Sequence, residues 1–114
     1  MLVCSSKASS LISPIPLYGN NCEGSSVCSS YNIGSDCQGG LALINQGATY
    51  NDQAQFSNGH CYIIYATNGE GAQPISGSTI HSTASAIISN CGHHCGSYGT
   101  NNCPNCHVTV NYRS

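Results

Sequence analysis

Ser78-Thr-Ile-His-Ser-Thr-Ala-Ser-Ala-Ile-Ile-Ser-Asn-Cys91-Gly-His-His-Cys95 is the stretch whose reading decides the fold. Ile80, Ala84, Ile87, Ile88 and Cys91 recur at i, i+4, i+7, i+8 and i+11, which is the apolar stripe of one helix face. Gly77-Ser78 supplies a start, with the Ser78 hydroxyl placed to accept a bond from a free backbone N–H. Gly92 supplies a stop, because the residue after a helix often takes the left-handed conformation. Cys91 and Cys95 therefore sit together at the helix end. A second close pair, Cys22 and Cys28, lies far upstream in Cys22-Glu-Gly-Ser-Ser-Val-Cys28. If the two pairs bond to each other, the amino-terminal segment is stapled to the end of the helix. Spacing alone does not choose that pairing.

The chain around this stretch is 114 residues long, which suits a single domain with one modest core. Only 5% of the residues are charged, against about 25% in ordinary soluble domains. Ser, Asn, Thr and Gly supply the polarity, so the surface is solvated by hydroxyls and amides rather than by ions. With two Lys or Arg and four Asp or Glu, no basic patch exists to neutralise phosphates or anionic lipid. Nucleic acid is excluded as a partner on that ground. No run approaches the ~20 apolar residues that span a bilayer, so membrane insertion is not expected. Nine cysteines in so short a chain describe a disulfide-stabilised extracellular protein. Eight paired cysteines allow about 105 connectivities, which counting cannot resolve. The first residues lack the apolar core of a signal peptide, so the chain reads as a mature form whose signal has been removed. There is no Asn-X-Ser/Thr sequon.

In chain order, residues 1–19 are Ser-rich, end near Ser13-Pro-Ile-Pro16, and read as a flexible leader preceding a domain over 20–114. Cys4, in the leader, is the odd cysteine. Residues 20–34 are small and irregular, as expected of a segment held by bonds rather than by burial. A first, weaker helix is predicted over 36–46, with Cys37, Leu41, Ile44 and, at its margin, Leu43 on its apolar face. Gly39 and Gly40 cost it about 1 kcal/mol each, so packing or a bond at Cys37 must hold it. Residues 47–59 read as a polar loop ending in the turn Ser57-Asn-Gly59. Cys61-Tyr-Ile-Ile-Tyr-Ala-Thr67 is the clearest strand, apolar on both faces and hence central. Asn68-Gly-Glu-Gly71 is a turn, and 72–76 a short edge strand that Pro74 keeps from the centre. Residues 96–105 read as a turn-rich loop. His107-Val-Thr-Val-Asn-Tyr112 alternates as a closing strand with Val108, Val110 and Tyr112 on one face. Together these elements predict a small disulfide-rich α+β sandwich with a mainly antiparallel sheet.

Several groupings could carry chemistry. Cys91, Cys95, Cys103 and Cys106, with His93, His94 and His107, crowd soft and borderline ligands into 91–107, which would suit tetrahedral Zn²⁺. A zinc-stabilised binding domain is therefore the alternative to a disulfide scaffold, which needs no metal or other cofactor. Cys103-Pro-Asn-Cys106 has the spacing of a redox dithiol, but it precedes a strand rather than opening a helix, and a structural bond is expected. Cys95 with His93, or Cys61 with His60, could be drawn as nucleophile and base, yet nothing marks a third, orienting group. The carboxylates Glu23, Asp36, Asp52 and Glu70 are scattered over different segments. Tyr62 and Tyr65 point to opposite faces of a strand. No residue is assigned a catalytic role, and the chain is not expected to be an enzyme.

Three blocks resemble the KP-four killer toxin family, whose founder is encoded by a virus of the corn smut fungus and whose relatives are secreted by plant-associated fungi. Tyr18-Gly-Asn-Asn-Cys22-Glu-Gly-Ser-Ser-Val-Cys28 resembles its amino-terminal motif. Ile75-Ser-Gly77, the helix, and Ser89-Asn-Cys91-Gly-His-His-Cys95-Gly-Ser97 resemble its second helix and the motif that follows. Val108-Thr-Val-Asn-Tyr112 resembles its closing strand. The resemblance spans 18–113 and implies two antiparallel helices packed on one face of the sheet. It also implies the pairings Cys22–Cys91 and Cys28–Cys95. Cys37, Cys61, Cys103 and Cys106 sit unlike the family's other cysteines. Two bonds are expected among them, with a strand-to-strand bond from Cys61.

What the resemblance implies for function is a secreted antifungal toxin or host-directed effector. Its target would lie on a fungal or plant cell surface, an ion channel being one candidate, and it would act as a monomer. The founder is thought to block calcium-permeable channels through a basic surface that includes a lysine on the strand preceding the hairpin. The matching strand here reads Tyr62-Ile-Ile-Tyr65 without a cation, and the hairpin after Thr67 is shortened. Lys7 and Arg113, both near the termini, are the only basic residues. A contact surface is then expected from the neutral polar loops 47–60 and 96–105.

Overall fold

The computed structural model describes residues 17–114. The expected leader, with Cys4 and Ser13-Pro-Ile-Pro16, lies outside the described residues except for its last three positions. Of those, Tyr18 is docked: its ring stacks on His107 at 4.3 Å and 6°. A 3-10 turn at Ser26–Ser29 comes first. Helix α1 spans Gly34–Ala42, strand β1 Thr49–Tyr50, β2 Ala54–Asn58 and β3 Cys61–Ala66. They are followed by β4 at Ile75–Ser76, helix α2 at Gly77–Asn90, β5 at Gly96–Gly99 and β6 at His107–Tyr112.

The main sheet has the order β2-β3-β6-β5 and is antiparallel throughout, while β1 and β4 make a separate two-stranded ladder. β3 is central, as its two apolar faces require. Register places Ile63 opposite Val110 and Tyr65 opposite Val108, so these four share one face with Phe56, the partner of Ile63. Against that face lie Cys37, Leu41 and Ile44 from α1 and its exit, and Ile80, Ala84, Ile87 and Ile88 from α2, in one continuous core. The helices run antiparallel. Gly77 at the start of α2 abuts the Asn45 carbonyl just past α1, and the His94 ring just past α2 abuts Gly34 at the start of α1.

The sequence placed both helices but misjudged their ends. α1 is shorter than expected: its coil tightens after Ala42, where Leu43 N–H reaches the Gly40 carbonyl and Ile44 N–H the Leu41 carbonyl, so Ile44 is buried from a closing turn. The α1 glycines have a packing reason. A Cβ on Gly40 would lie 3.1 Å from Ile63 Cδ1, and one on Gly39 would strike the Asn58 amide. The helix thus lies so close to the β2–β3 hairpin that a larger residue at either position would make the Asn58 or Ile63 side chain shift. For α2, the cap is Ser76 rather than Ser78: its hydroxyl accepts Thr79 N–H at 3.1 Å. The helix ends as Cys91 turns extended at φ −92° and ψ 122°, and the left-handed residue of that exit is His94 (φ 71°), not Gly92.

Two expected loops contain strands. Ala54–Asn58 carries one large apolar residue, Phe56, and becomes β2 because β3 offers it a full ladder across the two-residue turn Gly59-His60, with Gly59 at φ 57°. Gly96–Gly99, poor in β-formers, becomes β5 because it is paired on both sides. β6 flanks it, and Asn21 exchanges both backbone bonds with Ser97 at 2.9 Å.

All eight cysteines among the described residues are paired, as Cys22–Cys91, Cys28–Cys95, Cys37–Cys61 and Cys103–Cys106. The first two are the pairings the resemblance implies. The strand-to-strand bond expected from Cys61 is instead a helix-to-strand bond to α1, which lies across β3 where Gly40 admits it.

Candidate binding site

At the end of the sheet where β3 begins and β6 finishes, the two bonds from Cys22 and Cys28 hold the amino-terminal segment against the exit of α2. Local chemistry shapes the segment between them. Ser25 accepts Val27 N–H at 3.2 Å and starts the 3-10 turn, whose Cys28 is buried. Asn111 in β6 accepts Ser25 N–H at 2.9 Å, so a strand side chain fixes the segment's height over the sheet. The chain continues as Tyr31-Asn32, where Asn32 Oδ1 accepts Gly34 N–H at 2.8 Å.

Between residues 28–32 and 92–94 lies a cavity of about 280 Å³, near the lower bound for small-ligand sites. Its walls carry hydroxyls, an amide, a phenol and two imidazoles, with no Asp, Glu, Lys or Arg. Tyr31 forms one rim and is 43% exposed. Its ring stands edge-to-face with His60 at 4.9 Å and with Tyr112 at 5.8 Å, while His60 and Tyr112 stack at 5.2 Å.

The expected chemical groupings do not converge here. Cys91, Cys95, Cys103 and Cys106 are all engaged in disulfides, so the sulfurs of the expected zinc set are not free thiolates. His107 lies at the far end of β6 from His93 and His94, beside Ala66 and Gly99. Cys28, His93 and Cys95 bring potential ligand atoms within 4.8 Å of one another, but the two sulfurs are bonded to each other. His93 Nδ1 accepts the Cys95 backbone N–H at 3.1 Å, and His60 Nδ1 lies 3.0 Å from the Arg113 carbonyl. Neither imidazole faces a thiol. Three of the four carboxylates serve turns: Asp36 accepts His60 N–H at 2.8 Å, Asp52 accepts Thr67 N–H at 3.0 Å, and Glu70 accepts the Asn105 amide at 2.7 Å. Tyr65 is fully buried, and its hydroxyl donates to the Gln73 carbonyl at 2.6 Å. Burial pushes its phenol above the ordinary tyrosine value; the Asn102 bond opposes this and Asp52 adds to it.

The loops expected to form the contact surface, 47–60 and 96–105, carry the strands Thr49–Tyr50, Ala54–Asn58 and Gly96–Gly99, with irregular chain between and after them. Residues 29–32 of the cavity carry no periodicity and read from sequence as irregular chain. The one local signal was Tyr31-Asn32, an aromatic and an amide beside a half-clamp cysteine. No helix among the described residues is long and apolar enough to cross a membrane. No protein-family model, curated protein or solved structure matches the chain.

Proposed function

We propose that this chain is a secreted, non-enzymatic protein of the killer toxin type, acting by contact on a fungal or plant cell surface as an antifungal toxin or host-directed effector. The observation that carries this reading is the double clamp. Cys22 and Cys28 pair with Cys91 and Cys95, as the resemblance to the KP-four family implies, and hold the amino-terminal segment on the end of α2. Four disulfides and a scarcely charged surface favour an oxidising, extracellular setting. Three of four carboxylates committed to turns, and every described sulfur of cysteine committed to a bond, favour binding over catalysis.

A calcium-permeable channel is one candidate target, but the founder's charge mechanism lacks its cation here. β3 offers Tyr62 and Ile64 on the face away from the helices, and the one Lys or Arg among the described residues, Arg113, donates its Nε–H to the Gly59 carbonyl at 2.9 Å. A pore-occluding toxin needs a cation placed to compete with the permeating ion, and Arg113, although exposed, lies after β6 rather than on β3. The test is a growth-inhibition assay over a panel of fungi, with and without added calcium. Inhibition relieved by calcium supports a channel target, and calcium-insensitive inhibition supports a toxin with another target. No inhibition at any dose removes the toxin arm. Failure of labelled protein to bind either fungal or plant cells would then remove the effector arm as well.

A further inference from the structure

We infer that the cavity beside the clamp is a binding site for an uncharged sugar residue. The inference names a ligand class for the contact role proposed above and rests on that role only for its biological meaning. Its support is the pattern of donors and acceptors that the surrounding hydrogen bonds leave free.

His93 Nδ1 receives the Cys95 N–H, so in the neutral ring the proton sits on Nε2, which is left to donate. His94 is the reverse: its Nδ1 lies 2.8 Å from the Ile88 carbonyl and must donate to it, which leaves Nε2 as an acceptor. Asn32 has spent its oxygen on Gly34 N–H, so its amide N–H₂ remains. Ser30 donates its hydroxyl proton to the Val27 carbonyl at 3.3 Å, so its oxygen remains as an acceptor. The residues lining the cavity therefore keep both donors and acceptors, and none of them is Asp, Glu, Lys or Arg.

Other ligand classes match poorly. A phosphate or carboxylate would find no Lys or Arg among the lining residues, and a metal ion or ammonium no Asp or Glu. An apolar ligand would leave the hydroxyls, amide and imidazoles unpaired. A pyranose offers hydroxyls that both donate and accept around its ring, and C–H faces that pack on an aromatic ring. Tyr31 supplies that ring at the rim, and His60 with Tyr112 holds it in place before any ligand arrives. The volume of about 280 Å³ accommodates one sugar unit in depth, with the rest of a glycan continuing outwards.

The experiment is a ¹⁵N NMR titration of the oxidised full chain with glucose, mannose, galactose and N-acetylglucosamine, then with their oligomers, using sugar acids as comparators. The expected result is saturable shifts confined to residues 28–32 and 92–94 for a neutral sugar, with a monosaccharide Kd on the order of 1 mM. Tyr31→Ala should weaken binding about tenfold and Tyr31→Phe far less, since the ring rather than the hydroxyl makes the platform. An amide spectrum unchanged outside residues 28–32, 60, 92–94 and 112 shows that each variant is folded. Tighter binding of oligomers assigns the source as a polymer, and equal binding assigns a free sugar or glycan end. The inference is overturned if no neutral sugar shifts these residues, if sugar acids bind equally well, or if Tyr31→Ala binds like the parent. Because only pure protein and saccharide are used, such a failure leaves the growth-inhibition result untouched.

Discussion

The two ends of the main sheet are closed by different means. Where β3 starts, long-range covalent bonds do the closing: Cys22–Cys91 and Cys28–Cys95 join segments 69 and 67 residues apart, and Cys37–Cys61 ties α1 to β3 across 24. Where β3 ends, loops meet through polar side chains. Asp52 holds Thr67, the Tyr65 hydroxyl reaches Gln73, the Asn102 amide reaches the Tyr65 hydroxyl at 2.8 Å, and Asn105 reaches Glu70. The one disulfide there, Cys103–Cys106, spans a separation of 3. The difference follows from what each segment can bury. Residues 20–32 offer no large aliphatic side chain except Val27, so covalent closure replaces burial. The far loops instead cross the end of a deep core and are fixed by Tyr65, which is both buried and polar at its tip.

The largest expected effect comes from opening the clamp. Replacing all four of Cys22, Cys28, Cys91 and Cys95 by Ser should destabilise the fold by at least about 4 kcal/mol, since the first bond closes a very long loop. The two bonds are not additive, because once one has formed the other closes only the short ring of 22–28 and 91–95. Denaturant unfolding measures the loss, and limited proteolysis should cut first within 17–32. A variant as stable as the parent would show that the two ends do not differ in kind.

Next is the Cys37→Ser, Cys61→Ser pair, expected to cost about 3 kcal/mol by the same loop-closure reasoning. Removing Cys103–Cys106 should cost less, about 2 kcal/mol, because so short a loop restricts the unfolded chain little. A larger loss for that pair than for Cys37–Cys61 in the same unfolding experiment would reverse the contrast.

The smallest expected loss is that of Tyr65→Phe, about 1 kcal/mol, from the part-buried Gln73 carbonyl left with only its long Asn102 contact. It carries a pH signature. Folding raises the Tyr65 phenol above its unfolded value of 10.0, so the folded state holds the proton more tightly. Its stabilisation is complete below pH 10 and is lost as pH rises through the higher folded value. Unfolding free energy should therefore fall with pH above 10 more steeply in the parent than in Tyr65→Phe. Parallel curves would remove Tyr65 as the tie of the far end.

How much of this the chain announced in advance depends on whether a residue's role was local. The α2 stripe from Ile80 to Cys91, the strand 61–67 and the alternation at 107–112 were readable because each buries its own apolar face. β2 and β5 were not, because Ala54-Gln-Phe-Ser-Asn58 and Gly96-Ser-Tyr-Gly99 pair through backbone groups that every residue possesses. The candidate cavity was equally silent, since residues 29–32 and 92–94 meet only after the clamp has closed.

Residue pattern alone determined two helices, a central apolar strand, a closing strand, a sulfur-rich scaffold and a surface almost without charge, because periodicity and composition act over a few neighbouring positions. Resemblance to a family added two of the four pairings. Tertiary structure alone decided the other two, the strands hidden in polar sequence, the end at which each helix is capped, and the side chains that wall the cavity. Those depend on which segments come within bonding distance of each other, a quantity set by the packed chain as a whole and written in no single stretch of it.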